Sequence, residues 1–123
     1  MKAFALIASG NLKNARQYQQ ALQSAGFQVQ VVTTGARAQI QLAFTTPDLI
    51  LLDANLPDLP AEVIMRQINA HRRLESSVLF LISTDGSFSG DPNRLQTYVF
   101  AQAVDPAVLA SLASDVCTLG AQL

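Results

Sequence analysis

Asp53 stands at the end of the segment Pro47-Asp-Leu-Ile-Leu-Leu-Asp53, an apolar run that delivers one carboxylate to its C-terminal end. A run bounded by Pro and closed by Asp reads as a strand buried on both faces. In open α/β sheets, ligands and chemistry sit at the carboxyl ends of the strands, so Asp53 is the first site candidate. It is also isolated, because residues 1–47 contain no Asp or Glu. The alternative reading of an Asp at a strand end is a cap on the following turn through the amides of Asn55 and Leu56. Ser83 and Thr84 follow another apolar run and put hydroxyls at a second strand end, where such groups mostly satisfy backbone. Ser9-Gly10-Asn11 lies ahead of a helix start and offers amides that receive an anion. A tight turn followed by an N-cap is the favoured reading of that tripeptide. Asp58, Asp85 and Asp91 read as loop solvators.

The elements that must position these residues alternate along the chain. Ala3 to Ala8 is an apolar strand, and Leu12 to Ala25 is helical with Ala15, Tyr18, Leu22 and Ala25 on one face, stopped by Gly26. Phe27 to Val32 alternates apolar residues with Gln, as a half-exposed strand does. Gly35 opens a short helix through Ile40 and Phe44, and Asp48 to Leu52 is the central strand. Ala61 to Ala70 is helical with Val63, Ile64 and Ile68 inward, and Val78 to Ile82 is a fourth, wholly apolar strand. Tyr98 to Ala101 is a fifth strand. Pro106 to Leu119 is a last helix with Pro in its first turn and Gly120 past its end. Between Ser83 and Gln96, Gly86, Gly90 and Pro92 leave room for one helical turn from Asp91 to Gln96, not a full helix. Strands separated by helices of this length pair in parallel through right-handed crossovers, giving a doubly wound α/β sheet in a single domain over 1–123.

Composition narrows the function. Of 123 residues, 50% are hydrophobic and 14% charged, leaving little charge to solvate the surface, so part of it is expected to meet another protein. A net charge of −1 without a Lys/Arg run excludes the footprint of a nucleic-acid binder. The apolar start ends at Ser9, too short for a membrane span and without a signal-peptide cleavage pattern, so a cytoplasmic chain is expected. The one Cys, Cys117, sits among Leu112, Val116 and Leu119 as a buried structural thiol. The one His, His71, falls on a solvated helix end.

Gly26-Phe-Gln-Val, Thr34-Gly35 and Pro47-Asp-Leu-Ile-Leu-Leu-Asp53-Ala-Asn-Leu56-Pro57, in this order and spacing, resemble the receiver domain of bacterial two-component response regulators. The resemblance runs from residue 1 to about 120. It implies a flavodoxin-like five-stranded parallel sheet of order 2-1-3-4-5, here with its fourth helix shortened or missing. It makes Asp53 the candidate acceptor of a phosphoryl group from a sensor histidine kinase, and Ser83 the candidate phosphoryl contact. The acidic pair that holds Mg²⁺ in such domains falls on Ser9 and Gly10, with Asn11 beside them. The phosphoryl-binding Lys falls on Gln102, or on Ala101 if the register slips by one, and the Pro after it is Ala103. The chain has no Lys after Lys13.

These departures weigh against ordinary phosphorylation. Mg²⁺ wants octahedral oxygen ligands and releases water reluctantly, so Asp53 with the carbonyl near Asn55 is a weak site at best. Phosphoryl transfer depends on positioning and on charge neutralisation by metal and cation. Losing one preorganised charge partner costs about 3 kcal/mol, roughly a hundredfold in rate. The expected function is therefore a receiver-type signalling module, not an enzyme, that acts through protein contacts with a degenerate site and no cofactor. Two alternatives stand beside it: a genuine phospho-acceptor at Asp53 using Mg²⁺, and a small anion or ligand binder at the Ser9–Asn11 turn. From Pro106 onward the only charge is Asp115. Val104, Val108 and Leu112 on the fifth-strand and last-helix side are the candidate interface, for a homodimer or another protein. Leu109, Leu112 and Val116 are expected on the sheet, with Val108 and the helix alanines left outside.

Overall fold

The computed structural model describes residues 3–83, 97–100 and 105–122. Five strands, β1 (Phe4–Ala8), β2 (Gln28–Val32), β3 (Leu49–Asp53), β4 (Val78–Ile82) and β5 (Thr97–Phe100), alternate with helices α1 (Leu12–Ser24), α2 (Gly35–Phe44), α3 (Ala61–Ala70) and α4 (Pro106–Gln122). A single 3-10 turn over Arg72–Leu74 leads into β4. All pairings are parallel and the sheet order is β2-β1-β3-β4-β5, the doubly wound arrangement the sequence implies. The segments expected to hold a shortened fourth helix, Gln102 and Val104 lie outside the described residues.

Alternation along the strands divides the core in two. Ala5, Ile7, Leu49, Leu51, Phe80 and Ile82 face α1 and α4, while Leu6, Ile50, Leu52, Leu79 and Leu81 face α2 and α3. The central strands are apolar on both faces because helices cover both. β2 lies at one edge and keeps Gln28 and Gln30 exposed. At the other edge, Phe80 meets Tyr98 and Phe100 edge-on at ring separations of 5.5 and 5.3 Å, anchoring β5.

Local signals set the helix ends. Asn11 Oδ1 accepts from Asn14 N at 3.1 Å at the start of α1. At its end Gly26 N donates to Gln23 O at 3.0 Å and Phe27 N to Leu22 O at 3.0 Å, a Schellman pair that needs the φ of +98° found at Gly26.

Several expectations change. β1 and β2 start one residue later than expected, β3 runs Leu49–Asp53 so that Asp53 is its last residue, and β5 is Thr97–Phe100. α4 continues through Gly120 to Gln122, because a Gly at helix spacing weakens a helix without terminating it. On α3, Met65 is buried where Val63, only half-buried, was expected. Two alanines of α4 face inward while Ala107 is exposed: Ala110 and Ala113 are buried with Leu109, against α1 residues Ala15, Tyr18 and Leu22. Small side chains at that crossing allow the two helices to approach, so Ala110 and Ala113 serve the core and not the surface. Cys117 is half-buried, packed on the edge of this cluster.

Candidate functional site

Parallel register brings the candidates to one edge of the sheet. Ala8 pairs with Leu52 and Asp53 with Ile82, so Ser9, Asp53 and Ser83 all emerge at the carboxyl ends of neighbouring strands. Ser9 and Asp53 continue the odd-numbered faces of β1 and β3, and both turn toward α1. The Ser9 hydroxyl donates to Asp53 Oδ2 at 3.1 Å, and Asn55 N donates to Asp53 Oδ1 at 2.9 Å. Ser9 is only 4% exposed, so its hydroxyl is held in place. It also accepts from Asn11 N at 3.2 Å, which joins the turn before α1 to the end of β3.

These groups border a cleft of about 590 Å³. Its described floor is apolar, with Ala8, Leu51 and Ile82; its rim is polar, with Ser9, Asn11, Asn14 and Asn55. Asp53, half-buried, is the only charged side chain among the described lining residues. Gly10 sits beneath Pro57, whose Cδ lies 3.1 Å from where a Cβ on Gly10 would be. Among the described residues, no group of three or more His, Cys, Asp or Glu side chains gathers where it could hold a metal ion.

Ser83 is 1% exposed and its N–H donates to Phe100 O at 2.9 Å, while Ile82 before it lines the cleft floor. The Asn55 amide takes the turn-capping position on Asp53 foreseen for it. The Ser9–Asn11 turn does not present free amides throughout: Ser9 N donates to Val32 O at 3.1 Å and Asn11 N to the Ser9 hydroxyl. Val108 on α4 is 59% exposed, Leu112 is half-buried, and Tyr98 on β5 is 38% exposed.

Asp58 is not a loop solvator. Its carboxylate accepts from Gly35 N at 2.7 Å and Ala36 N at 3.0 Å, the first two amides of α2. The Gly35 bond, then the Ala36 bond, holds its pKa below the usual carboxylate value. The pairing spans more than twenty residues, so no local spacing announces it. Ile40 and Phe44 on α2 were also missed as surface groups: they are 56% and 83% exposed, while Ala38 and Leu42 pack inward.

Comparison with solved structures decides the fold name. A sensor protein from a Polaromonas species superposes with a TM-score of 0.80 at 20% identity, over 98% of this chain and 99% of that one. The CheY-like response regulator receiver domain from Methylobacillus flagellatus gives 0.78 at 21%, over 94% and 99%. The fold is the CheY-like receiver fold. The receiver domain of a sensor histidine kinase from Pseudomonas aeruginosa, solved with a magnesium ion coordinated in its active-site cleft, is similar at 0.79 and 20%, over 96% and 99%. No protein-family model and no curated protein matches the chain. No helix among the described residues is long and apolar enough to cross a membrane.

Proposed function

We propose that this chain is a receiver-type module of two-component signalling that works through protein contacts, with a degenerate phosphorylation site and no catalytic activity of its own. The observation that carries the reading is the Ser9 hydroxyl on Asp53 Oδ2 at 3.1 Å, at the strand end where the receiver resemblance calls for an acid. One carboxylate, already accepting from Ser9 and Asn55, is a poor donor set for an ion that demands octahedral oxygen coordination. Gly10 supplies no ligand, and a side chain there would have to displace Pro57 by a few tenths of an ångström. Asp53 then serves as an anchored turn residue, and signalling passes through surfaces in the cytoplasm.

The surface best suited to a protein partner or a second copy lies on β5 and α4, which expose Tyr98 and Val108 and leave Leu112 half-buried. A phospho-acceptor role for Asp53, with a histidine kinase as donor, is the competing outcome. An anion at the Ser9–Asn11 turn is disfavoured, because the charge on the described wall is negative and two of the turn's amides are engaged.

The test is incubation with acetyl phosphate and Mg²⁺, read by intact mass. No mass gain is expected. A stable gain of one phosphoryl group that disappears in Asp53→Ala would overturn the degenerate-site reading. Sedimentation of the wild-type chain and of Val108→Glu tests the surface, with self-association or partner capture lost in the variant.

A further inference from the structure

The helix α2 is held at both ends by side chains from elsewhere in the chain, each of the sign its macrodipole favours. At its N-terminus the Asp58 carboxylate, from the loop after β3, takes the amides of Gly35 and Ala36. At its C-terminus the Arg73 guanidinium, from the turn after α3, donates to the carbonyls of Leu42 and Thr45. The N-cap role is already filled locally, since Thr34 Oγ1 accepts from Arg37 N at 3.2 Å. Asp58 is thus not a substitute for a missing cap; it is a second, long-range hold on the same turn.

The loop carrying Asp58 forms part of the wall of the Asp53 cleft. Asn55 and Pro57 line that cleft, and the Asn55 amide rests on Asp53 itself. Pro57 and Pro60 flank Asp58 and fix two of the loop's φ angles. Leu59 presses on Gly35 so closely that a Cβ there would sit 2.8 Å from Leu59 Cβ. Asp53 is thus joined to the first turn of α2 by the Asn55 hydrogen bond, three residues of backbone and the Asp58 carboxylate, and α2 carries Ile40 and Phe44 exposed.

We infer that Asp58 is a positioning residue that straps the wall of the Asp53 cleft to α2, so that a change at Asp53 is transmitted to α2 and its exposed Ile40–Phe44 face. The depressed pKa of Asp58 agrees with this, since the carboxylate form is the one both amides bind. The strap acts on whatever alters Asp53, by phosphorylation, by a partner or by mutation, and so does not depend on the degenerate-site reading.

Amide hydrogen exchange on the full chain tests it. Asp53→Ala is expected to speed exchange at Gly35 and Ala36 several-fold in the wild-type background. In an Asp58→Ala background, where those two amides already exchange about tenfold faster, Asp53→Ala is expected to add nothing. Thr34→Ala serves as a control: it loosens the Arg37 amide and leaves Asn55 and Leu56 unchanged, whereas Asp58→Ala also moves Asn55 and Leu56. The inference is overturned if Asp53→Ala leaves Gly35 and Ala36 unchanged, or if its effect persists without Asp58. Asp58→Asn, which retains one acceptor oxygen, provides a milder background if the alanine variant unfolds, with the same two outcomes.

Discussion

Removing the Ser9 hydroxyl perturbs the site at its best-defined contact. In Ser9→Ala the chain loses one hydrogen bond to a carboxylate, a class worth about 1.5–3 kcal/mol when both partners are shielded. Ser9 is 4% exposed, but Asp53 is only half-buried, so water recovers part of the loss on the Asp53 side. The bond alone therefore comes to about 1–1.5 kcal/mol. Asn11 N also loses its acceptor, but Asn11 is exposed and its amide is rehydrated, adding about 0.5 kcal/mol. The expected total is about 2 kcal/mol, or roughly 6–8 °C in Tm for a domain of this size. Asp53→Ala has no fixed sign by itself, since it removes two hydrogen bonds and also a partly desolvated charge. A double-mutant cycle of Ser9→Ala and Asp53→Ala, measured by urea unfolding, isolates the shared bond. A coupling of about 1 kcal/mol or more is expected. Additivity to within about 0.3 kcal/mol would refute the claim that Ser9 holds Asp53.

Three further outcomes follow from other contacts. Burial, and then the Asp48 carboxylate, push the Cys117 thiol up to about 11 from 9.0. Its thiolate at pH 8 is then about a hundredfold scarcer than that of an unperturbed thiol, and iodoacetamide should label native chain correspondingly slowly compared with chain in urea. For Asp58 the folded pKa lies below the ordinary 3.8, so its stabilisation is complete above that value and is lost as pH falls through the folded pKa. The stability gap between wild type and Asp58→Ala, followed by urea unfolding against pH, should be constant near neutrality and close on acidification. Ala113→Leu, at a fully buried position between α4 and α1, should cost about 1–3 kcal/mol by overpacking, whereas Val108→Ala on the exposed side should stay within about 0.5 kcal/mol in thermal unfolding.

The strand and helix order was legible because each signal is local. Apolar runs such as Val78–Ile82 have nowhere to go but a doubly covered strand, and Gly26 and Asn11 fix the ends of α1 through bonds within six residues. Asp53 was legible for the same reason, as a polar residue closing such a run. The lack of any acid before Asp48 was equally plain and governs the reading of the site. On α4 the larger side chains were legible, with Leu109 buried, Leu112 and Val116 packed on the core and Val108 exposed, but a helix apolar nearly all round gives no periodicity to place its small residues. With the leucines and Val116 on the sheet the alanines are expected outside; Ala107 is exposed, whereas the close crossing with α1 draws Ala110 and Ala113 inside.

By itself, then, the sequence determined the parallel α/β plan, the position of Asp53 at a strand end and the absence of upstream carboxylates to accompany it. Only the tertiary structure decided what surrounds these residues. Strand register brought Ser9 onto Asp53 across forty-four residues of chain, and the return of the loop after β3 onto α2 gave Asp58 its two amides. Hydrogen bonds of that range leave no spacing in the sequence, because their partners are chosen by how the elements pack and not by how far apart they lie along the chain.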